Sequence, residues 1–484
     1  MLLQAILFAA VAALAFVYFK VRGTAPFLDF PGPPRHWFWQ NARQVTKVLH
    51  ARHDWWRAIS KEYGNIVYYR SLGINILNVS DPEILDQVFK NYTIFPSRAL
   101  KNPFVRVLPL GLVAMETSDR WSRHRRLLSP LFAEKFMEVY ATVFIASGER
   151  LFKQWHETPR GTKINIYEAF IRLTLDIIGL TGFGYNFAAL DNPDSRYVHA
   201  GQEILDEIVR LNLLPKPIAA LDRAKKDKLR DGMKAFEDVV DDVVKANRAG
   251  GNDEDETSKN MLSELLRMQD EEGKLTREEV HDEIITLMIA GHETTANTMS
   301  WAIFQLARNP SVQAKLRQEI ETVLEGRPPK YEDRKNLPYT EWVIKESLRM
   351  YPTLPIIPRE AMADTEIRGK LVPKGTWVQA DLVSMHSDPK IWGDPETFRP
   401  ERFDESNPDN NRHPAAFMPF GGGRRICIGQ RFAFLEATLV LARAIQQFEF
   451  RMDPDQQVTG YTDISYGPKI GLLVDVIPIQ PKAE

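Results

Sequence analysis

Ten residues from Phe420 to Gly429, FGGGRRICIG, hold the only cysteine of the chain, Cys427, together with four glycines and two arginines. A lone cysteine is most often a small buried hydrophobe. This one precedes an amphipathic run, Gln430 to Phe448, and so lies near a helix N-terminus, where unpaired N–H groups and the helix dipole favour a thiolate. The glycines let backbone amides approach the sulfur and permit positive φ, and Arg425, two residues before the cysteine, can hold a carboxylate nearby. Such a loop suits a thiolate bound to a metal and tuned by amide hydrogen bonds. A phosphate loop would carry Lys-Ser or Lys-Thr after its glycines, and a cysteine hydrolase needs a partnered histidine that no local pattern nominates. One cysteine without clustered histidines cannot complete a zinc or iron–sulfur site. It can supply the fifth ligand of a haem, whose porphyrin already provides four nitrogens.

Two further groups of residues have the right types for chemistry. MIAGHETTANTM, from Met288 to Met299, is apolar nearly all round yet interrupted by Gly291, His292, Glu293, Thr294 and Thr295, and buried polar residues need partners or a purpose. His292-Glu293 resembles the start of a zinc-protease helix, but the position four residues on is Ala296, so the metal pair fails on spacing. Thr294 could simply bond back to the carbonyl of Ala290, and Gly291 gives a ligand room to approach the backbone. Glu346 and Arg349 in KESLR stand at i and i+3 and can pair on one helix face, although a surface pair contributes at most about 1 kcal/mol.

The elements that must position these residues are mostly helical. Thr276 and Glu279 form a capping box for a helix that need not stop before Asn309-Pro310, far longer than an ordinary globular helix. Two β-rich runs between Ile66 and Val79 flank Ser71-Leu72-Gly73 as a hairpin, and Ser80-Asp81-Pro82-Glu83 then opens a helix as a second capping box with proline in its first turn. More hairpins are expected between Thr365 and Leu382 and near the C-terminus. The acidic run AGGNDEDETS between Arg248 and Lys259 reads as a solvated surface loop. With 484 residues, 44% hydrophobic and 26% charged, the chain can bury a large core. A formal charge of −2 argues against nucleic-acid binding, and one cysteine excludes an intramolecular disulfide.

Leu2 to Phe19 is apolar except for Gln4 and is followed by Lys20 and Arg22. The run is about long enough to span a bilayer, and the flanking charges predict a lumenal N-terminus with a cytosolic body. The sequons at Asn78 and Asn91 would then stay unglycosylated. Pro31-Gly32-Pro33-Pro34 is a stiff hinge. The expected layout is therefore an anchor over residues 1–22, a proline-rich hinge over 23–36 and one domain over 37–484.

These residues carry a family likeness. FGGGRRICIG resembles the cysteine-loop signature of the cytochrome P450 haem-thiolate proteins at Phe420, Gly423, Arg425, Cys427 and Gly429. AGHETT resembles the family's long distal helix, Glu346 with Arg349 its Glu-x-x-Arg pair, and FRPERF its meander, with Arg402 closing a buried ion network. The resemblance implies a mainly α fold with small β-sheets and a haem b cofactor, with Cys427 as the axial iron ligand. It implies that Trp121 and Arg125 in RWSRHRR, together with Arg359 and Arg425, reach the haem propionates, and that Thr294 with Glu293 forms a proton relay. Arg120, Arg123 and Arg126 are then expected to point away as a basic face for docking an acidic flavin domain.

The activity so implied is insertion of one oxygen atom from O2 into a lipophilic small molecule, with electrons from NADPH through NADPH–cytochrome P450 reductase and cytochrome b5 as a further donor, at the endoplasmic reticulum membrane. A haem-thiolate isomerase or dehydratase acting on peroxides would have less use for the acid–alcohol pair, and a haem-bearing sensor would need no relay. Pro96 to Thr117 and the apolar stretch Leu211 to Leu221 occupy the places where the family builds its entrance and pocket, and the latter could dip into the bilayer.

Overall fold

The alternating apolar pattern of IVYYRS and INILNV makes two antiparallel strands, β1 (Ile66–Ser71) and β2 (Ile74–Val79), paired from Ile66 with Val79 through Ser71 with Ile74. The helix that precedes them is α1 (Arg52–Tyr63) and the one that follows is α2 (Pro82–Lys90). The helix cap of α2 is Asp81, not Ser80: its carboxylate accepts from the N–H groups of Glu83 and Ile84, with Pro82 at the first helical position. The charged aspartate side chain, one carbon longer than that of serine, also sits one residue closer to the orphan donors than the expected serine.

The computed structural model describes residues 28–36, 40–47, 51–71, 73–97, 104, 108–193, 223–249, 260–407, 411–462, 464–470 and 472–479. Further along come α3 (Asp119–Leu128), α4 (Glu134–Glu157), β3 (Lys163–Asn165), α5 (Ile166–Phe183), α6 (Arg277–Arg308) and α7 (Pro338–Met350). Strands β4 (Ile356–Glu360), β5 (Thr365–Ile367), β6 (Lys370–Val372) and β7 (Trp377–Asp381) precede α8 (Gln430–Gln447). The chain ends in β8 (Phe448–Arg451), β9 (Thr459–Thr462), β10 (Tyr466–Ile470) and β11 (Leu473–Pro478). The anchor segment Leu2 to Phe19, the stretch Leu211 to Leu221 and most of the acidic run lie outside the described residues. Among the described residues no helix is long and apolar enough to cross a membrane.

Two compact units divide the chain. The first comprises residues 1–98, 354–396 and 411–426 and is built on a sheet of order β1-β2-β7-β4, in which β2 and β7 run parallel and the other neighbours antiparallel. Leu77, Val79 and Val378 on one sheet face pack with Ile84, Leu85, Val88 and Phe89 of α2, while Trp56 and Ile59 of α1 cover Val67, Tyr69 and Ile76 on the other. Asn78 of the first sequon is 1% exposed and donates to the Asp381 carboxylate at 2.6 Å.

The second unit comprises residues 99–353, 397–410 and 427–484. Its axis is α6, 32 residues long, started by the reciprocal Thr276 and Glu279 capping box and stopped at Asn309 before Pro310. Around α6 lie α5, α7 and α8, with α4 against α8. The terminal strands form a sheet of order β3-β11-β8 and a β9-β10 hairpin. Trp301 of α6 stacks on Tyr351 at 3.9 Å between ring centroids and donates its N–H to the Tyr466 carbonyl, fastening the hairpin to the helix.

Candidate active site

In the second unit the functional side chains come from α3, α6, α7 and the start of α8. Cys427 stands just before α8, whose cap Gly429 offers no side chain to the helix's orphan N–H groups. The Gly429 N–H instead turns to the sulfur. Burial pushes the Cys427 thiol up, and the Gly429 amide and the Arg125 guanidinium pull it back down. The side chain is nevertheless exposed. A cation bound to the sulfur would remove its proton outright.

Arg125 lies one helical turn after Trp121 on α3, a spacing that sets both on one face. Trp121 is 2% exposed. Burial lowers the pKa of Arg125, and the charge of Cys427 raises it again. Among the described residues Arg125 forms no ion pair.

Glu346 and Arg349 of α7 are both fully buried. Glu346 accepts from Arg349 Nε at 2.8 Å and Nη2 at 2.9 Å, from Arg402 Nε at 3.2 Å and from the Arg399 amide at 3.0 Å. Two guanidinium groups and one amide thus surround a single carboxylate. Removal of the carboxylate leaves two buried cations uncompensated.

On α6 the burial pattern is informative. The side chains from Glu279 to Ala307 are almost all buried, but Ala290 is exposed and Gly291, Thr294 and Thr298 are half-open. Ala290, Thr294 and Thr298 follow at i, i+4 and i+8, so one strip of an otherwise enclosed helix faces open space. Thr294 donates its hydroxyl to the Ala290 carbonyl at 2.8 Å, and Thr298 donates to the Thr294 carbonyl at 2.9 Å. Glu293 is turned away from this strip: the residue is 5% exposed and its carboxylate accepts from Ser465 Oγ at 2.9 Å, with Asn297 donating to the same Ser465 at 3.1 Å. The helix therefore does not join Glu293 and Thr294 directly. Gly291 has a different role from the one expected, because a Cβ there would stand 2.9 Å from Ile178 Cδ1. The missing side chain admits α5, not a ligand.

In the first unit Arg359 is the penultimate residue of β4, 8% exposed, with its guanidinium over the Phe89 ring at 4.6 Å and one N–H on the Pro358 carbonyl. Burial lowers its pKa to about 10, and among the described residues it forms no ion pair. Gly423, at φ +63°, packs where a Cβ would meet the Phe89 carbonyl at 2.2 Å, so α2 and the loop bearing Phe420 and Arg425 demand glycine there.

The second unit thus brings together a half-buried Arg125 with no ion pair among the described residues, the Cys427 sulfur and an open strip on α6. These features fit a cofactor that brings a metal cation for the sulfur and a carboxylate for the arginine. Fold and site define a haem-thiolate oxidoreductase. Residues 30–469 match the family model described as Cytochrome P450, and the chain belongs to that family. It is 30% identical over 473 residues to "Cytochrome P450 4F12" of Homo sapiens, covering 91% of this chain and 88% of that protein. Its identity to "Cytochrome P450 4V2" of Mus musculus is 34% over 390 residues, 76% of this chain and 73% of that protein. A "Bifunctional cytochrome P450/NADPH--P450 reductase" of Bacillus cereus is 32% identical over 421 residues, 83% of this chain and 38% of that longer protein. The chain is a haem-iron monooxygenase of mainly helical fold with small sheets.

The expected basic face of α3 is reduced, not removed. Arg120 Nη2 and Arg123 Nη2 share Glu279 Oε1 at 2.8 Å and 2.6 Å, one carboxylate for two guanidinium groups whose side chains stay 48% and 42% exposed, and Arg126 stands exposed without an ion pair among the described residues. His124, between them, was not singled out by sequence. It is fully buried against two glutamates of α6. The signal available was its spacing: His124 falls three residues after Trp121, on the inward face of α3.

Proposed function

We propose that the chain inserts one oxygen atom from O2 into a lipophilic small molecule, with electrons drawn from NADPH through a flavin reductase, and that Cys427 would bind the iron of haem b as a thiolate. The observation that carries this reading is Cys427 itself, an exposed residue just before α8 with the Gly429 amide and the Arg125 charge turned toward its sulfur. When bound, the haem supplies dioxygen activation and oxygen transfer, which thiolate ligation promotes. Trp121, Arg125, Arg359 and Arg425 would hold the propionates, and Phe420 would flank the loop that presents the sulfur. Glu346, Arg349 and Arg402 hold the frame behind it.

Thr294 commits its hydrogen to Ala290, so its oxygen offers lone pairs at the open strip and orders a donor, water or substrate there. Glu293 holds the proton supply. Since its carboxylate accepts from Ser465, protons reach the strip around the helix through ordered water rather than by direct contact. Apolar residues elsewhere on α6 exclude bulk solvent. A reductase partner agrees with the fused reductase named in the Bacillus cereus relative, and cytochrome b5 is a second donor.

The layout we propose is an anchor over residues 1–22, a hinge over 23–36 and one haem domain over 37–484, on the cytosolic side of the endoplasmic reticulum membrane. The buried Asn78 agrees with an unglycosylated body. The test is reconstitution of the purified chain with NADPH–cytochrome P450 reductase and apolar compounds preselected by a low-to-high spin shift. Product formation that requires NADPH, reductase and O2 together supports the reading. Turnover of a peroxide with none of the three would replace it by the isomerase alternative.

A further inference from the structure

The buried His124 is not used by the chemistry above, and its surroundings are built in detail. Nδ1 stands 2.7 Å from Glu283 Oε1, and Nε2 stands 3.1 Å from Glu279 Oε1 and 3.3 Å from Arg123 Nη2. His124 and Glu283 are fully buried and Glu279 is 1% exposed. A contact of 2.7 Å between a ring nitrogen and a carboxyl oxygen requires a proton between them, whichever group holds it. The two glutamates differ in what else they have. Glu279 Oε1 also takes Arg120 and Arg123, and Oε2 takes the Thr276 amide at 2.9 Å. Among the described residues, Glu283 Oε1 has His124 alone.

The other oxygen of Glu283 accepts the Leu112 amide at 3.1 Å, and the neighbouring Asp282 accepts the Leu110 amide at 2.8 Å. Between them Gly111 lies so close to α6 that a Cβ would meet Thr286 Oγ1 at 2.1 Å. One carboxylate therefore ties three pieces of chain together: α3 through His124, residues 110–112 through an amide, and α6 on which it stands. His124 sits between Trp121 and Arg125 in sequence, so whatever holds it holds both of them.

We propose that His124 is a positioning residue: by sharing a proton with Glu283 it fixes α3 against α6, and so sets Trp121 and Arg125 for the haem propionates while holding residues 108–115 in place. The inference rests on the reading of Arg125 as a propionate partner. Asparagine mimics Nδ1 and glutamine mimics Nε2, and since Glu279 Oε1 has other donors while Glu283 Oε1 has none among the described residues, His124→Asn should preserve function better than His124→Gln, with His124→Phe worst.

The experiment compares these variants and Arg125→Ala as holoproteins, measuring haem transfer to excess apomyoglobin and hydrogen–deuterium exchange of peptides covering residues 108–128. His124→Phe is expected to lose haem about tenfold faster, in the range typical for removing an outer-shell partner, and to exchange faster at 108–115, with His124→Asn close to the parent chain. Because His124→Phe strands a buried carboxylate, the double variant His124→Phe/Glu283→Leu keeps the comparison available if the single variant does not fold. Unchanged exchange at 108–128 overturns the clamp. Faster exchange with parental haem loss overturns the positioning role, provided that Arg125→Ala itself loses haem quickly. Should Arg125→Ala keep its haem, the propionate reading fails and the inference with it, while exchange still reports whether the clamp exists.

Discussion

At Thr294 the proposed role shares the side chain with a structural one. The hydroxyl satisfies the Ala290 carbonyl, as a threonine inside any helix can, yet its position on the open strip of α6 leaves the oxygen accessible. Truncation removes one such intrahelical bond, a loss of about 1 kcal/mol, and leaves the capping box and the packed faces of α6 untouched. Thr294→Ala is accordingly expected to fold and bind haem normally while consuming oxygen without matching product. The ratio of product to oxygen consumed decides it: a parental ratio would assign Thr294 a helix-bending role only. His124 illustrates what residue types conceal. Within RWSRHRR it reads as one more solvated basic residue, and only the pairing of α3 with α6, distant in sequence, reveals two acids waiting for it.

Among the elements, α7 and α8 each carry a buried carboxyl, with opposite consequences. Glu346 on α7 is held by two buried guanidinium partners, and breaking such a buried group costs about 3–5 kcal/mol. Glu346→Leu should therefore melt far below the parent chain or fail to accumulate as haem protein; a soluble variant with parental melting temperature would show the network to be dispensable. Glu436 on α8 is fully buried, and among the described residues no donor reaches either oxygen. Burial raises its pKa well above the usual carboxylate range.

The sign for Glu436 follows from proton linkage. The folded chain keeps this proton while the unfolded chain releases it near the ordinary glutamate pKa of about 4.3, so stability falls as pH rises above that value until the folded group itself ionises. Glu436→Gln abolishes this term. Denaturant melts from pH 5 to 8 should show the variant gaining on the parent as pH rises; parallel curves would mean that Glu436 has a partner in solution that compensates it. Element boundaries were largely legible, because the Thr276–Glu279 capping box, the Asn309-Pro310 stop and the strand alternation are local signals. The cap at Asp81 rather than Ser80 and the packing of Gly291 against Ile178 were not, since each depends on which atoms arrive from elsewhere.

At the scale of the whole molecule, the loop around Cys427 disclosed its chemistry because a single cysteine among glycines leaves few alternatives, and the family match over residues 30–469 agrees with that reading. What local patterns could not disclose is long-range charge pairing, as in the engagement of Arg120 and Arg123 by Glu279. Optical spectroscopy of the assembled holoprotein addresses the sulfur directly, since the carbon-monoxide difference band of the reduced protein reports both haem uptake and the identity of the axial ligand. The parent chain should give the band at the wavelength from which the family takes its name, and Cys427→His should keep its porphyrin but move the band to the shorter wavelength of imidazole-bound haem. An unchanged band in Cys427→His would contradict the account, because the iron would then be held by another group.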